Sequence, residues 1–265
     1  MSSRVAYTMV LLIACSTRDS NLANSRQGSL DDGGRGPAVT DAGAGFSIDD
    51  AGVVYCGSAP CACSDGRDND GDGYVDGFDP ECTGASDNFE DSFATGAHGE
   101  DKTAKCEDCF FDANSGAGDG CRRARSCALD GTSSSGNGSC RACAVDTSCS
   151  DSCGPLVPNG CDCFGCCGVW QGTTVSNILL GSPSCTTAVL ADPLKCTPCI
   201  QAQDCMNPCG PCELCAGRRV SDLPATCATS SEPGFTCDQG EVCHSTSDCG
   251  SLRYCQQGCC IEVGI

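Results

Sequence analysis

The sequence predicts small disulfide-rich modules, mostly loop with short β-hairpins, preceded by a disordered N-terminal tether. The prediction comes from cysteine content and from the shortage of bulky apolar side chains. The chain has 265 residues, of which 31 are Cys, eight Phe, four Tyr and one Trp. So few bulky side chains cannot hold a fold of this length by burial alone. Disulfide bridges are therefore expected to stabilise it.

The cysteine content also predicts that the chain is exported, because cytosolic thiols are kept reduced. The first residues, MSSRVAYTMVLLIAC, carry Arg4 and then an apolar run from Met9 to Ala14. This run is too short to span a membrane and has the order of a secretory signal. Residues 1–14 are therefore predicted to be a signal peptide.

The residues Leu12-Ile13-Ala14-Cys15 resemble a bacterial lipobox. The resemblance implies that Cys15 is lipidated and becomes the mature N-terminus, so that acyl chains hold the protein at a bacterial outer membrane or cell surface. Lipidation of Cys15 would leave an even number of cysteines, all able to pair. The alternative is that Cys15 is an ordinary cysteine in an apolar segment.

Residues 15–55 are predicted to be the lipidated cysteine followed by a flexible tether. The stretch from Ser16 to about Val54 is rich in Gly, Ser, Asp and Ala and contains no cysteine. It shows no sustained period of a helix or strand, so it cannot bury enough surface to offset its ordering entropy. A short strand around Phe46 to Val54 is the alternative.

The stretch CSDGRDNDGDGYVDGFDPEC, from Cys63 to Cys82, holds seven carboxylates and one Arg. Like charges at this density repel one another, so a compact fold here needs added positive charge. Twelve positions have the spacing of an EF-hand calcium loop, with Gly73 at the sharp turn. Calcium is therefore the predicted cofactor. The predicted ligands are the side chains of Asp68, Asp70, Asp72, Asp76 and Asp79 and the backbone carbonyl of Tyr74.

The loop departs from an EF-hand because Asp79 replaces the usual Glu and Pro80 follows it. It more closely resembles a thrombospondin type 3 repeat, in which calcium and disulfides hold such loops without flanking helices. A Cys63–Cys82 bridge would close the loop, although Cys56 and Cys61 compete for either partner. A solvated acidic run is the alternative reading of the aspartates.

Several cysteine-rich segments resemble uncharacterised lipoproteins and secreted proteins of Gram-negative bacteria. The resemblance implies surface exposure and the calcium loop, but no established activity and no catalytic residues. The segments are CSDGRDNDGDGYVDGFDPECTGASDNFE, DCFFDANSGAGDGC, CDCFGCC and DCMNPCGPCELCAG.

Three modules are expected after the tether: an acidic calcium-binding module at 56–101, a cysteine-rich domain at 102–219 and a disulfide mini-domain at 220–265. In the second, β-branched and aliphatic residues predict a hairpin and core within Gly168–Ser182. Thr186–Cys196 is predicted to form a short helix limited by Pro193. The third has six cysteines in 24 residues, from Cys237 to Cys260, with fifteen conceivable pairings.

Six CxxC pairs occur in the chain, one of which is the CGPC tetrapeptide from Cys209 to Cys212. CGPC is the redox motif of thioredoxins, but no βαβ pattern surrounds it here. CTPC, Cys196 to Cys199, together with CGPC could instead bind zinc. A thiol-based redox or zinc-sequestering protein is therefore the alternative to a disulfide scaffold.

The net negative charge and the rarity of catalytic motifs argue against nucleic-acid binding and against catalysis. With 35 acidic against 15 basic residues, the chain lacks the basic footprint that nucleic acid requires. His98 and His244 are its two histidines, and each is expected in an exposed loop. The sequence therefore predicts a non-enzymatic structural or recognition protein, with an extracellular protein or polysaccharide as the expected class of partner.

Overall fold

The computed structural model describes residues 46–49, 53–96, 106–112, 120–132, 140, 142–227, 234–237 and 240–262. The signal, Cys15 and most of the predicted tether lie outside these residues. The described residues form short antiparallel strands and two helices joined by long irregular segments. The strands are β1 (Phe46–Ile48), β2 (Val54–Cys56), β3 (Ala59–Pro60), β4 (Cys106–Glu107), β5 (Arg123–Ala124), β6 (Cys166–Gln171), β7 (Thr174–Leu179), β8 (Arg253–Gln256) and β9 (Cys259–Glu262). The helices are α1 (Ser126–Leu129) and α2 (Thr147–Cys153).

The strands pair into four small antiparallel sheets. One has the order β1-β2-β3, and the others are β4-β5, β6-β7 and β8-β9. Strand β1 lies in the range predicted as tether, where a short strand was the alternative. Single 3-10 turns supply the remaining regular structure. They are Ala62–Ser64, Asp76–Phe78, Gly154–Leu156, Thr187–Val189, Gln203–Cys205, Val220–Asp222, Ala225–Cys227 and Thr246–Asp248.

The predicted fold class of disulfide-rich modules with short hairpins is confirmed. All thirty cysteines from Cys56 onward pair, forming fifteen bridges. Such extensive bridging is typical of a stabilised protein of the extracytoplasmic type. Among the residues that the structure describes, no helix is both long enough and apolar enough to cross a bilayer.

The largest hydrophobic cluster lies in the cysteine-rich domain at 102–219, hereafter the second block, and confirms the predicted hairpin. Strands β6 and β7 pair from Cys166↔Leu179 to Gln171↔Thr174. Val169, Ile178 and Leu180 are buried there against cysteine sulfurs and phenylalanine rings. Other hairpin residues that were predicted to be core are more exposed, and Val175 is 44% exposed because its end of the hairpin extends beyond the cluster.

The helix predicted over Thr186–Cys196 is reduced to the single 3-10 turn Thr187–Val189. A disulfide joins Cys185 to Cys196 across the segment. Their Cα atoms lie 4.7 Å apart, whereas eleven helical residues would separate them by about 16 Å. The cross-link therefore requires a folded-back loop in place of the predicted helix.

The last six cysteines pair within the predicted mini-domain. The bridges are Cys237–Cys259, Cys243–Cys255 and Cys249–Cys260. One further bridge, Cys212–Cys227, crosses the boundary predicted between residues 219 and 220. The mini-domain is thus covalently tied, through the chain and this bridge, to the cysteine-rich block before it.

No disulfide joins the acidic module to the rest of the chain, since its bridges are Cys56–Cys61 and Cys63–Cys82. It is held by buried non-covalent contacts instead. The hydroxyl of Tyr254 on β8 donates a hydrogen bond of 2.6 Å to the carbonyl of Cys63. The Gln256 side chain donates to the carbonyl of Cys82 at 3.2 Å.

The hairpin of β8 and β9 also contacts the end of the acidic loop, the segment between Cys63 and Cys82. The backbone N–H of Gln257 donates to the carbonyl of Gly77. Gly77 is required at this contact because a Cβ there would collide with the carbonyl of Cys255. Strand β8 therefore packs directly against the acidic loop.

On the other side of the acidic module, Phe93 is fully buried in the cluster of the second block. Its N–H donates to the carbonyl of Cys185 at 2.8 Å, and its carbonyl accepts from the N–H of Gly181 at 2.7 Å. The acidic module is thus packed between the second block and the C-terminal hairpin.

We predict that Tyr254→Phe destabilises the protein by about 1–3 kcal/mol, because it leaves the carbonyl of Cys63 buried without its donor. The free energy of unfolding in denaturant, with the disulfides intact, measures the loss. Tyr55→Phe is the matched control, because Tyr55 is only partly buried and its hydroxyl bond to Asp49 is 3.3 Å long. Equal stability of the Tyr254 variant and the wild type would contradict the role given to this contact.

Candidate calcium site

The acidic loop is a series of tight turns organised by its own aspartates. The Asp68 carboxylate accepts hydrogen bonds from the N–H of Gly71 at 2.7 Å and from that of Gly73 at 3.0 Å. Both glycines have positive φ, 82° and 97°, which favours Gly at these turns. The chain therefore wraps around the first aspartate, and this brings the next two aspartates to the same side.

Three of the predicted ligands come together in the structure. One carboxylate oxygen from each of Asp68, Asp70 and Asp72 lies within 4.8 Å of the others, and all three residues are exposed. Oxygens that bind one hard cation such as calcium at about 2.3–2.6 Å lie at most about 5 Å apart, so these three oxygens are close enough together to share one cation. Burial, together with the charges of Asp72 and Asp68, raises the pKa of Asp70.

The ring of Tyr74 packs under the guanidinium of Arg219 at 5.0 Å. The same Arg219 approaches the Asp72 carboxylate at 3.8 Å. Both partners of this ion pair are partly exposed, so it contributes little to stability. Arg219, which comes from the second block, nevertheless places one positive charge beside the acidic loop.

Asp76 does not join the three clustered carboxylates. It has a positive φ of 48°, and its carboxylate accepts the backbone N–H groups of Asp65 and Gly66 at 3.0–3.1 Å. In this position Asp76 stabilises the turn before the loop. Burial raises the pKa of its carboxyl.

Asp79, the last predicted ligand, is buried below the loop and is 1% exposed. Its Oδ1 accepts the N–H of Glu81 at 2.8 Å, whereas its Oδ2 has no hydrogen-bond partner among the described residues. Burial, reinforced by the charges of Glu81, Asp72 and Glu90, raises the pKa of Asp79 to about 8. The carboxyl is thus costly to ionise unless a cation lies beside it.

The spacing of the motif did not point to Glu90, which organises the loop from outside. Its carboxylate accepts the N–H of Asn69 at 2.6 Å and that of Asp76 at 3.0 Å. Burial raises the pKa of Glu90. Because Glu90 lies eleven residues beyond Asp79, only the folded chain reveals the contact.

The structure contains the Cys63–Cys82 bridge that the sequence suggested, while Cys56 and Cys61 pair with each other. Cys63 and Cys82 are both fully buried. A bridge that closes a loop of this length contributes about 3 kcal/mol in the chain-entropy estimate. The disulfide therefore limits how far the acidic loop can open.

All cysteines of the six CxxC motifs are engaged in disulfides in the structure. Every cysteine in them pairs with a cysteine outside its own motif, as in Cys209–Cys215 and Cys212–Cys227 of the CGPC segment. Other clustered cysteines, such as Cys149, Cys163 and Cys205, are likewise engaged in bridges. Of the two histidines, His244 lies exposed, and His98 falls outside the described residues.

No protein-family model, no curated protein and no solved structure matches this chain.

Asp87, next to the site, is expected to make stability depend on pH. It is buried and accepts hydrogen bonds from Thr83 and Phe89, yet burial raises its pKa to about 8 from 3.8. Because the folded pKa is the higher one, the contribution of Asp87 to stability is full below about pH 4 and is lost as the pH rises towards 8.

We therefore predict that Asp87→Asn flattens the fall in the free energy of unfolding between pH 4 and 8, by up to about 1 kcal/mol per pH unit. Denaturant unfolding in chelator at several pH values measures the slope. The asparagine amide changes the hydrogen bonds of residue 87 at every pH and so shifts the free energy of unfolding as a whole. The dependence of that free energy on pH is therefore the quantity to compare. Asp91→Asn, at an exposed position, is the control. A slope in the Asp87 variant equal to that of the wild type would refute the assignment.

Proposed function

We propose that this protein is a lipid-anchored, calcium-binding structural or recognition protein of a bacterial cell surface, without catalytic activity. Cys15 would carry the lipid, and the acidic loop would bind the calcium ion. The bridged modules would present a rigid surface to an extracellular protein or polysaccharide. The similarity to thrombospondin type 3 repeats and to cysteine-rich bacterial lipoproteins remains part of this proposal.

The observation that carries the calcium proposal is the grouping of Asp68, Asp70 and Asp72 within 4.8 Å. Three exposed carboxylates that repel one another are held together by turns, and a hard dication would relieve the repulsion. Tyr74 would contribute its backbone carbonyl, with Asp76 and Asp79 as the remaining predicted ligands. When bound, calcium would add positive charge to that of Arg219, which approaches Asp72 at 3.8 Å.

The extensive bridging supports the scaffold over the alternative of a thiol-based redox or zinc protein. Those functions require thiolates, and the structure has every cysteine from Cys56 onward in a disulfide. Fifteen bridges over a chain with few bulky apolar residues also support a rigid, protease-resistant surface. A rigid surface suits recognition because little conformational entropy is lost on binding.

We predict that calcium protects the segment from Asp65 to Asp91 against proteolysis and that Asp70→Ala combined with Asp72→Ala abolishes this protection. The double change removes two of the three clustered carboxylates. Limited proteolysis with mass mapping, in calcium and in chelator, measures it. Asp151→Ala with Asp204→Ala, at exposed positions away from the loop, should retain the protection. Identical cleavage of the wild type with and without calcium would disprove the loop site.

We also predict that Cys15→Ser releases the exported protein from the membrane fraction and removes its acyl mass. Intact mass spectrometry of the wild type should show an acylated N-terminus, no alkylation before reduction and thirty alkyl groups after it. Ser16→Ala is the control that should stay anchored. Abundant free thiols or stoichiometric zinc in the native protein would favour the alternative function.

A further inference from the structure

A second group of carboxylates lies deeper than the exposed loop, on the segment that leads into Cys82. Asp79 is 1% exposed and Glu81 is 5% exposed. The carboxylate of Asp79 accepts the backbone N–H of Glu81 at 2.8 Å, so the two acids are neighbours in the fold. The negative charge of Asp72 contributes to raising the pKa of both. Two buried acids this close are rarely found without a compensating positive charge.

The protein groups around this pair satisfy only part of its hydrogen-bonding capacity. Glu81 Oε1 accepts the N–H of Thr187 at 3.2 Å, and Asp79 Oδ1 accepts the N–H of Glu81 at 2.8 Å. Asp79 Oδ2 is buried without any partner among the described residues. A buried polar atom without a partner costs about 1–3 kcal/mol, more if it is charged, so this oxygen points to a missing ligand.

None of the ion pairs among the described residues reaches Asp79 or Glu81. In one of those pairs, Arg219 contacts Asp72 at 3.8 Å. The other two pairs, Arg123 with Glu107 and Arg253 with Glu241, involve neither carboxylate. The positive charge that would compensate the buried pair is therefore not supplied by a described side chain.

We propose that Asp79 and Glu81 bind a second divalent cation, distinct from the ion of the exposed loop. Both side chains offer carboxylate oxygens, and hard cations such as calcium prefer oxygen ligands. Water or backbone carbonyls complete the shell. Asp79, which the sequence predicts as a ligand of the loop ion, then binds the buried ion instead.

The buried cation would lie beside the contact between the acidic module and the second block. Glu81 contacts Thr187 of that block, and the N–H of Gly217 donates to the carbonyl of Pro80 at 3.0 Å. No disulfide crosses this boundary, so the contacts there are non-covalent. Docking gives the Glu81 carboxylate the N–H of Thr187, which orients it, so a cation bound to the oriented carboxylate favours the docked arrangement.

Isothermal titration of the full-length, oxidised protein with calcium chloride, after removal of metal by chelator, tests the proposal. The wild type is expected to bind two ions per chain. Glu81→Gln is expected to bind one, at the loop, and Asp70→Ala is expected to bind one, at the buried pair. Glu213→Gln is the matched control, expected to bind two, because Glu213 is also a buried acid that accepts a backbone N–H, from Gly210 at 2.6 Å.

Hydrogen exchange at the backbone amide of Thr187 gives a second readout that does not depend on counting ions. Calcium should slow this exchange at least about tenfold in the wild type and in Asp70→Ala, but not in Glu81→Gln. Glu81→Asp keeps the charge with a shorter side chain, so it should retain the fold and show an intermediate effect. This variant keeps the test decisive if the glutamine variant fails to fold.

The outcomes separate the two sites. A single ion per wild-type chain, or exchange at Thr187 that calcium does not change, overturns the buried site. If Asp70→Ala still binds two ions while Glu81→Gln binds one, the buried site stands and the loop proposed above as the calcium site is wrong.

Discussion

Covalent linkage between sulfurs is the constraint on which the remainder of the structure depends. The main cluster contains cysteines such as Cys161, Cys163 and Cys167 at 0% exposure among a few phenylalanine and aliphatic side chains. Cross-links of this kind act largely by restricting the unfolded chain, so the folded state needs less apolar burial. That explains how short strands and single turns stay ordered without a large sheet or bundle to support them.

The acidic module is held against the rest of the protein by non-covalent contacts, because no disulfide joins it to the other modules. Its two bridges are internal, so its position depends on buried contacts with the second block and with β8. Phe93 enters the apolar cluster on one side, and Tyr254 and Gln256 bind backbone carbonyls on the other. These contacts surround the segment with the highest negative charge, so docking forces carboxyl groups out of water.

Burial of acidic side chains raises the pKa values of carboxyl groups at the site. The outer aspartates are held by turns at the surface, whereas Asp79, Glu81 and Asp87 lie below it with pKa values raised mainly by burial. Such groups favour a bound proton or a bound cation over a bare charge. Under the calcium-binding proposal, both the exposed and the buried carboxylates would favour a bound hard cation.

The sequence by itself determined the fold class, the β6-β7 hairpin and the turn geometry of the acidic loop, because these depend on composition and on residues close along the chain. Tertiary structure alone decided the pairing of the cysteines, since cysteine spacing leaves many combinations open. It also folded Thr186–Cys196 back through a disulfide, turned Asp76 towards Gly66 and buried Asp79 beside Glu81. Each of these outcomes depends on contacts made in the folded chain, and the spacing of a motif contains no information about them.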